Sequence, residues 1–366
     1  RMKSALVLFR NRSWLSLLNM CPNLSTKAGF NMIVAIHPFM DGMDYISTSR
    51  VLTLLVGLFW AAYLDLKSRR VPNAFWITWA SPAIFLWTLE LLILETPWYI
   101  FATAAGVVAY ASMSVLGTPS FQDIMKKSYV DIIVTIWYIF AFFGILVGLY
   151  HHGNVDFLDL VNGNADEMSS IWWSTILAAI PILIFDLAWR LRLIHGGADA
   201  KALMWIAILI PSWNVVNVVY PENMDNAIIV LPPSISLLIW GGFIFLLLPF
   251  VMVIKNLISD GMGPLRLIWH AERMPLSEVK QKHVWLLSEM MAMPSGDYGV
   301  HHRTRAPRRT PTEEELDAQI EALKEAKIEM VWVTRKYPLL VFLIPALLPW
   351  YLLGGPMAWF MPLIGL

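Results

Sequence analysis

Cysteine and charged residues are both scarce in this chain of 366 residues. The single cysteine, Cys21, excludes a disulfide within the chain and a metal cluster held by several cysteines. Basic and acidic residues number 27 each, so the formal net charge of zero argues against a broad electrostatic attraction to nucleic acid. Only 15% of the residues are charged and 57% are hydrophobic, whereas soluble domains have about 25% and about 45–50%. The composition predicts a polytopic membrane protein, with the lipid bilayer as its main partner.

Eight apolar runs are long enough to cross a bilayer, which takes about 20 mostly apolar residues. They cover approximately residues 47–64, 75–95, 97–116, 130–150, 171–189, 200–219, 234–254 and 337–362. The last run is rich in proline and glycine, which is typical of a broken or re-entrant segment. We therefore expect an all-α integral membrane protein with about eight transmembrane helices. The expected division is a doubtful N-terminal extension (1–46), a transmembrane core (47–258), a cytoplasmic domain (259–336) and a C-terminal membrane segment (337–366).

The basic residues of the loops predict the orientation of these spans. Lysine and arginine follow the first, third, fifth and seventh spans, but residues 151–170 and 221–226 contain neither. Because cytoplasmic loops carry the excess of lysine and arginine, the first group of loops is assigned to the cytoplasm. This assignment places Asp65, after the first span, and Asp199, before the sixth, at the same cytoplasmic face.

Residues 1–46 do not fit this orientation. The N-terminal segment is predicted to be external, and yet it contains five basic residues. One explanation is that the natural start is Met43. The other is a basic amphipathic segment that orients differently. We favour the first explanation.

The segment 259–336 is expected to be a small domain on the cytoplasmic side. Thr310, Pro311 and Glu313 have the pattern of a helix start with a capping box, and the helix is expected to continue to about Val333. The preceding residues, 293–309, are rich in proline, glycine and arginine and predict a loop or flexible arm.

Asp65 and Asp199 are the strongest candidates for chemistry. Asp65 closes the apolar run 51–64 and Asp199 opens the run 200–219, and an acid at a lipid boundary is costly enough to suggest a function. Two carboxylates that share one proton can hydrolyse a peptide bond through a water molecule held between them. The alternative is structural, because an acid often fixes a helix end at the interface or stabilises a helix N-terminus.

The residues around both acids resemble a known pair of signatures. Asp-Leu-Lys-Ser-Arg-Arg-Val-Pro-Asn at 65–73 and Gly-Gly-Ala-Asp at 196–199 are similar to the motifs of the type IV prepilin peptidase and archaeal preflagellin (prearchaellin) peptidase family, membrane aspartyl proteases with a GxGD motif. The resemblance implies that Asp65 and Asp199 are the catalytic pair. It implies a supporting role for the other motif residues, Pro72, Asn73, Gly196, Gly197 and Ala198.

The same resemblance implies an aspartic endopeptidase of the plasma membrane that needs no cofactor and no metal. Its substrates would be pilin- or archaellin-like precursors, whose class III signal peptides are cut at the cytoplasmic face. Ala198 replaces the second glycine of the motif. The Cys-x-x-Cys pairs and the methyltransferase part of many bacterial members are absent from the sequence, which favours an archaeal-type enzyme without methyltransferase activity.

Other hypotheses about the function and about single residues remain open. The main rival is an ion- or proton-coupled transporter in which the paired acids carry the coupling ion, and a third is a non-catalytic scaffold for pilus assembly. Asp186 is expected to form an ion pair with Arg190 one turn later, with a supporting place near the catalytic pair as the alternative. His195 could hydrogen-bond an aspartate or serve as a capping or interface residue.

Overall fold

The computed structural model describes residues 42–117, 129–161, 164–194, 196–216, 231–259, 263–292, 298–307, 309 and 311–360. This part of the chain is mostly helical. Its α-helices are α1 (Gly42–Ser68), α2 (Asn73–Ile93), α3 (Trp98–Leu116), α4 (Tyr129–His152), α5 (Phe157–Val161), α6 (Glu167–Leu177), α7 (Ala179–Arg190), α8 (Gly197–Leu209), α9 (Pro233–Ser259), α10 (Glu313–Glu325), α11 (Leu339–Leu353) and α12 (Met357–Phe360).

Six helical stretches of the described residues are long and apolar enough to cross a membrane. They are Gly42–Ser68, Asn73–Ile93, Trp98–Leu116, Asp131–His152, Glu167–Arg190 and Pro233–Ser259. The fifth consists of α6 and α7, which join through Ala178 in a right-handed helical conformation. Each stretch overlaps one of the predicted spans, and together they are consistent with a multi-pass membrane protein.

The remaining two predicted spans correspond to shorter helices. In place of the run 200–219, α8 has 13 residues and ends at Leu209, just before Pro211, whose ring cannot continue a helix. At 1.5 Å per residue, α8 is only about 20 Å long. Similarly, α11 has 15 residues and ends at Gly354, which has a positive φ of 69°. Eight complete spans therefore remain an expectation.

Helix α8 is buried on nearly all sides. Nine of its 13 residues are buried, among them Leu203, Ile206 and Leu209, and a helix that is apolar all round belongs inside a protein or a membrane. It packs against α2, α7 and α9. The indole of Trp205 lies against Gly57 of α1 and donates a hydrogen bond of 2.8 Å to the carbonyl oxygen of Trp79 in α2. Helix α8 is thus held at a fixed place among the other helices.

An ion pair that we did not predict lies inside the helices. The guanidinium of Arg50 in α1 is completely buried and pairs with the carboxylate of Glu90 in α2, which is 9% exposed. Arg50 also donates to the carbonyl oxygen of Leu209 at the end of α8. Since a charge in an apolar interior needs a partner, this pair fixes three helices relative to one another.

The segment after α9 contains strands, and the prediction of an all-α chain was wrong there. The strands are β1 (Glu272–Pro275), β2 (Val284–Leu286), β3 (Ser288–Ala292), β4 (Tyr298–His302) and β5 (Met330–Arg335). An antiparallel three-stranded sheet has the order β1-β5-β2, and β3 and β4 form an antiparallel pair. Strand β4 occupies part of the range 293–309, for which we expected a loop.

Helix α10 also differs from its prediction. It begins at Glu313, and its capping box is formed by Thr312 and Glu315 rather than by the predicted Thr310 and Glu313. It ends at Glu325 and not near Val333, because Lys327 adopts a positive φ of 58° and the chain then enters β5. The buried side chains of Ile320 and Leu323 pack on Val331 and Val333 of that strand.

One acid joins the sheet to the last long helix. Glu272 of β1, 3% exposed, forms ion pairs with Lys255 of α9 and Arg335 of β5. Burial acts to raise the pKa of Glu272, but hydrogen bonds and charges from these two cations outweigh burial and hold the pKa below its ordinary value of 4.5. The sheet is therefore attached to α9 by a charged contact on its first strand.

Candidate functional site

Asp65 lies in the last turn of α1 and is buried, with 7% of its surface exposed. The cation that acts on its carboxylate is Arg69, one turn later. Arg69 has a positive φ of 55°, so the chain turns sharply where α1 ends. Burial disfavours the charged form of this carboxylate, and the charge of Arg69 favours it.

Asp199 lies in the first turn of α8, beside Gly196 and Gly197. A Cβ atom added to Gly196 would overlap Oδ2 of Asp199. Gly196 has φ −87° and ψ 113°, a conformation open to any residue, so glycine is required there for space and not for backbone freedom. A Cβ atom at Gly197 would come to 3.3 Å from a ring carbon of Trp189, which is tight but not prohibitive.

The two aspartates lie near enough to each other for their charges to interact. The charge of Asp65 acts directly on the carboxylate of Asp199, although the residues belong to helices far apart in the sequence. The backbone N–H of Leu340, at the start of α11, also interacts with Asp199. Oδ1 of Asp199 is buried and has no hydrogen-bond partner in the described part of the chain. The site thus combines two carboxylates, one backbone donor and one unsatisfied acceptor atom.

The Pro-Asn pair, at the beginning of α2, is connected to the beginning of α8. Pro72 is the N-cap residue of α2, with φ −66° and ψ 151°. The side-chain oxygen of Asn73 accepts a 2.7 Å hydrogen bond from Nζ of Lys201, and its nitrogen donates to the carbonyl oxygen of Val115 at 3.3 Å. Asn73 therefore joins α2 to α8, two residues beyond Asp199, and to the end of α3.

The sequence analysis missed the role of Lys201, although a signal was present. Lys201 lies within the apolar run 200–219, where an isolated cation needs a polar partner. Its ammonium group also lies 5.4 Å from the ring centre of Trp189. Arg50 and Glu90 lie within predicted spans as well, so the same rule would have indicated their ion pair. Leu340 interacts with Asp199 through its backbone, and no sequence pattern predicts such a contact.

The remaining predicted site residues have different outcomes. Asp186 forms the expected ion pair, with 2.8 Å between its Oδ2 and Nε of Arg190. Ala198 packs at the edge of the apolar core of the helices. His195 lies outside the described residues. Among the described residues there is no group of three or more histidine, cysteine, aspartate or glutamate side chains arranged to hold a metal ion.

An apolar cavity of about 220 Å³ lies beside this site, between α2, α3, α4 and α8. Its walls include Trp76, Val115, Trp137 and Met204, and Lys201 is the only charged residue that lines it. The cavity therefore places apolar surface next to the hydrogen bond between Asn73 and Lys201.

Comparison with protein-family models finds no match for this chain, and comparison with curated proteins finds no significant relative. The arrangement itself must therefore indicate the chemistry. Two close carboxylates in a partly dry site can share one proton, bind a water molecule and move its proton during hydrolysis.

Proposed function

We propose that this protein is a membrane aspartyl endopeptidase that cleaves class III signal peptides of pilin- or archaellin-like precursors. The single observation that carries the proposal is that Asp65 lies near enough to Asp199 for its charge to act on the Asp199 carboxylate. Each acid stands in the sequence motif that resembles the prepilin and preflagellin peptidases, and each motif supplies one half of the carboxylate pair.

The different surroundings of the two acids suggest different roles. A cation, Arg69, acts on Asp65, whereas the charge that acts on Asp199 is negative, so Asp65 would act as the base that takes a proton from water. Asp199 has a buried oxygen without a donor and faces another negative charge, so it would hold the shared proton and polarise the carbonyl of the scissile bond. The water attacks the carbonyl carbon, and the proton passes to the leaving amine.

The proposed topology has eight membrane segments, with residues 259–336 in the cytoplasm before the last segment. It rests on the basic residues that follow alternate spans, and it puts the aspartate pair at the cytoplasmic face of the plasma membrane. There it would meet a precursor whose leader peptide is still in the cytoplasm. Cleavage would need no cofactor and no metal.

The proposal is tested by cleavage of a pilin-type precursor in membranes that contain the wild type, Asp65→Asn or Asp199→Asn. Asn keeps the size of the side chain and removes its acid–base chemistry. Each single variant should lose at least about 10³-fold of the cleavage rate, as expected when one member of a catalytic unit is removed. Asp131→Asn, an acid in the first turn of α4, is the matched control and should cleave normally.

Efficient cleavage by either Asp65→Asn or Asp199→Asn, at normal protein levels, would refute the two-aspartate mechanism. The second candidate is a coupled transporter, which the buried ion pair of Arg50 and Glu90 favours. A transporter would give proton-driven uptake that depends on Glu90 and would leave precursors uncut. At 1.5 Å per residue Arg50 lies about 22 Å along α1 from Asp65, so the two candidate functions can be separated by mutation.

A further inference from the structure

A second, polar cavity of about 270 Å³ lies where the end of α1 meets the sheet. The end of α1 contributes Leu66, Lys67 and Arg69 to its walls. The other walls come from residues 281–284, at the start of β2, and 335–337, at the end of β5. We call this cavity the basic cleft. It contains neither Asp65 nor Asp199.

Among the described residues, the lining of the basic cleft carries positive charge and no negative charge. Five of its ten residues are lysine or arginine, one is histidine, and none is aspartate or glutamate. These six residues are Lys67, Arg69, Lys282, His283, Arg335 and Lys336. Cations brought together in this way repel one another, and partners outside the cleft or a bound anion would relieve this repulsion.

Partners outside the cleft compensate only some of these cations. Lys282 pairs with Glu278, and Arg335 pairs with Glu272. In the part of the chain that the structure describes, Lys67, Arg69 and Lys336 form no ion pair. The guanidinium of Arg69 donates to the backbone carbonyl of Lys336, but its Nε is buried without a partner. Lys67 and Lys336 therefore lack a carboxylate partner, and the charge of Arg69 interacts with that of Asp65, which lies outside the cleft.

Neighbouring groups fix the position of the Lys336 ammonium group. Its backbone N–H donates to the carbonyl oxygen of His283 at 3.1 Å, and its ammonium group lies 3.7 Å from the ring centre of Trp285. Burial, and secondly the charge of Arg69, lower the pKa of Lys336 below its ordinary value. An anion placed between Arg69 and Lys336 would relieve their repulsion and could accept a hydrogen bond from the unpartnered Nε of Arg69.

The cleft also lies at a membrane boundary. Lys67 and Arg69 directly follow the apolar part of α1, and Leu66 presents an exposed apolar side chain at the rim. Basic residues next to a span attract anionic headgroups, and arginine with lysine is the usual combination for binding phosphate. We propose that the basic cleft binds a phosphate group, carried either by an anionic lipid headgroup or by a free phosphate ion. This proposal is independent of the peptidase activity.

The test uses the purified full chain in an uncharged detergent. Native mass spectrometry counts bound dioctanoyl-phosphatidylglycerol, with dioctanoyl-phosphatidylcholine as the lipid of zero net charge and inorganic phosphate as the competitor. The variants are Lys336→Gln, which removes a charge of the cleft, and Lys336→Arg, which keeps it. Lys324→Gln, an exposed lysine in the last turn of α10, is the matched control outside the cleft.

Lys336→Gln should weaken binding of the anionic ligand about tenfold, because one charge-assisted hydrogen bond is lost. Lys336→Arg and Lys324→Gln should bind as the wild type does. If inorganic phosphate displaces the lipid, the site takes free phosphate; if only the anionic lipid binds saturably, the site takes a headgroup. The proposal is overturned if neither ligand binds the wild type, if Lys336→Gln binds equally well, or if Lys336→Arg loses binding as Lys336→Gln does.

Discussion

Replacement of Gly196 by alanine should displace the Asp199 carboxylate and change the stability of the protein only slightly. The new Cβ atom would overlap Oδ2 of Asp199, while the backbone angles of residue 196 are acceptable for alanine. The overlap is with the end of a short side chain, which can rotate away. The helix can therefore remain intact while the carboxylate moves.

The effect of Gly196→Ala on stability should be much smaller than its effect on the cleavage rate. A rotation of Asp199 by ~30° from its preferred rotamer costs about 0.5–1.5 kcal/mol. Alanine in place of glycine returns about 0.4–1 kcal/mol by restricting the unfolded chain. The free energy of unfolding should thus change by less than about 1 kcal/mol. A catalytic group displaced by an ångström, by contrast, can lose about 10²-fold in rate. We expect Gly196→Ala to be folded and almost inactive.

The assay combines thermal unfolding in detergent with cleavage of a pilin-type precursor. Gly197→Ala is the matched control, since its Cβ atom would only approach the ring of Trp189 to 3.3 Å, and it should cleave within a few-fold of the wild type. Normal cleavage by Gly196→Ala would show that the position of Asp199 does not limit the reaction. An equal loss in both variants would indicate a packing defect and contradict the reasoning.

Two further predictions concern stability. Glu90→Gln leaves the fully buried Arg50 without its counter-ion and should destabilise the protein by about 3–5 kcal/mol, whereas Glu95→Gln, an exposed acid after α2, should change little; equal melting temperatures for the two variants in detergent would contradict a role for the ion pair. Glu272 has a pKa below its ordinary value of 4.5, so its contribution to stability is complete above about pH 4.5 and is lost as the pH falls through the lowered pKa. Glu272→Gln should therefore be less stable than the wild type at pH 7, and this difference should shrink towards pH 3 in chemical unfolding experiments; a difference independent of pH would contradict the assigned charge.

The positions of the long helices could be predicted from the sequence because lipid imposes a simple rule. A helix that crosses it must be apolar for its whole length, and six such stretches stand where apolar runs predicted them. The rule fails where a run contains a residue that ends a helix. Pro211 follows α8 directly and Gly354 follows α11, so both helices are shorter than the apolar runs that contain them.

The strands after α9 could not be predicted in the same way. β2 has three residues and β1 has four, too few for an alternating pattern to be distinguished from chance. Strand β5 has three consecutive buried residues between exposed ends and no alternation. It also follows a capped helix closely, so a single long helix accounted equally well for the sequence. Its pairing with both β1 and β2 is a tertiary effect that only the folded chain reveals.

The proximity of the two aspartates could be predicted from the sequence only in part. The loop charges predicted a common face for Asp65 and Asp199, but no pattern specifies which helices become neighbours. In the structure α1 and α8 interact at three levels. Arg50 donates to the carbonyl oxygen of Leu209, the indole of Trp205 lies against Gly57, and the charge of Asp65 acts on Asp199. Residue numbers rise along α1 as they fall along α8, so the helices are antiparallel. Arg50 at one end of α1 and Gly57 in its middle then fix the register of the two helices. This register brings the two acids together at the other end.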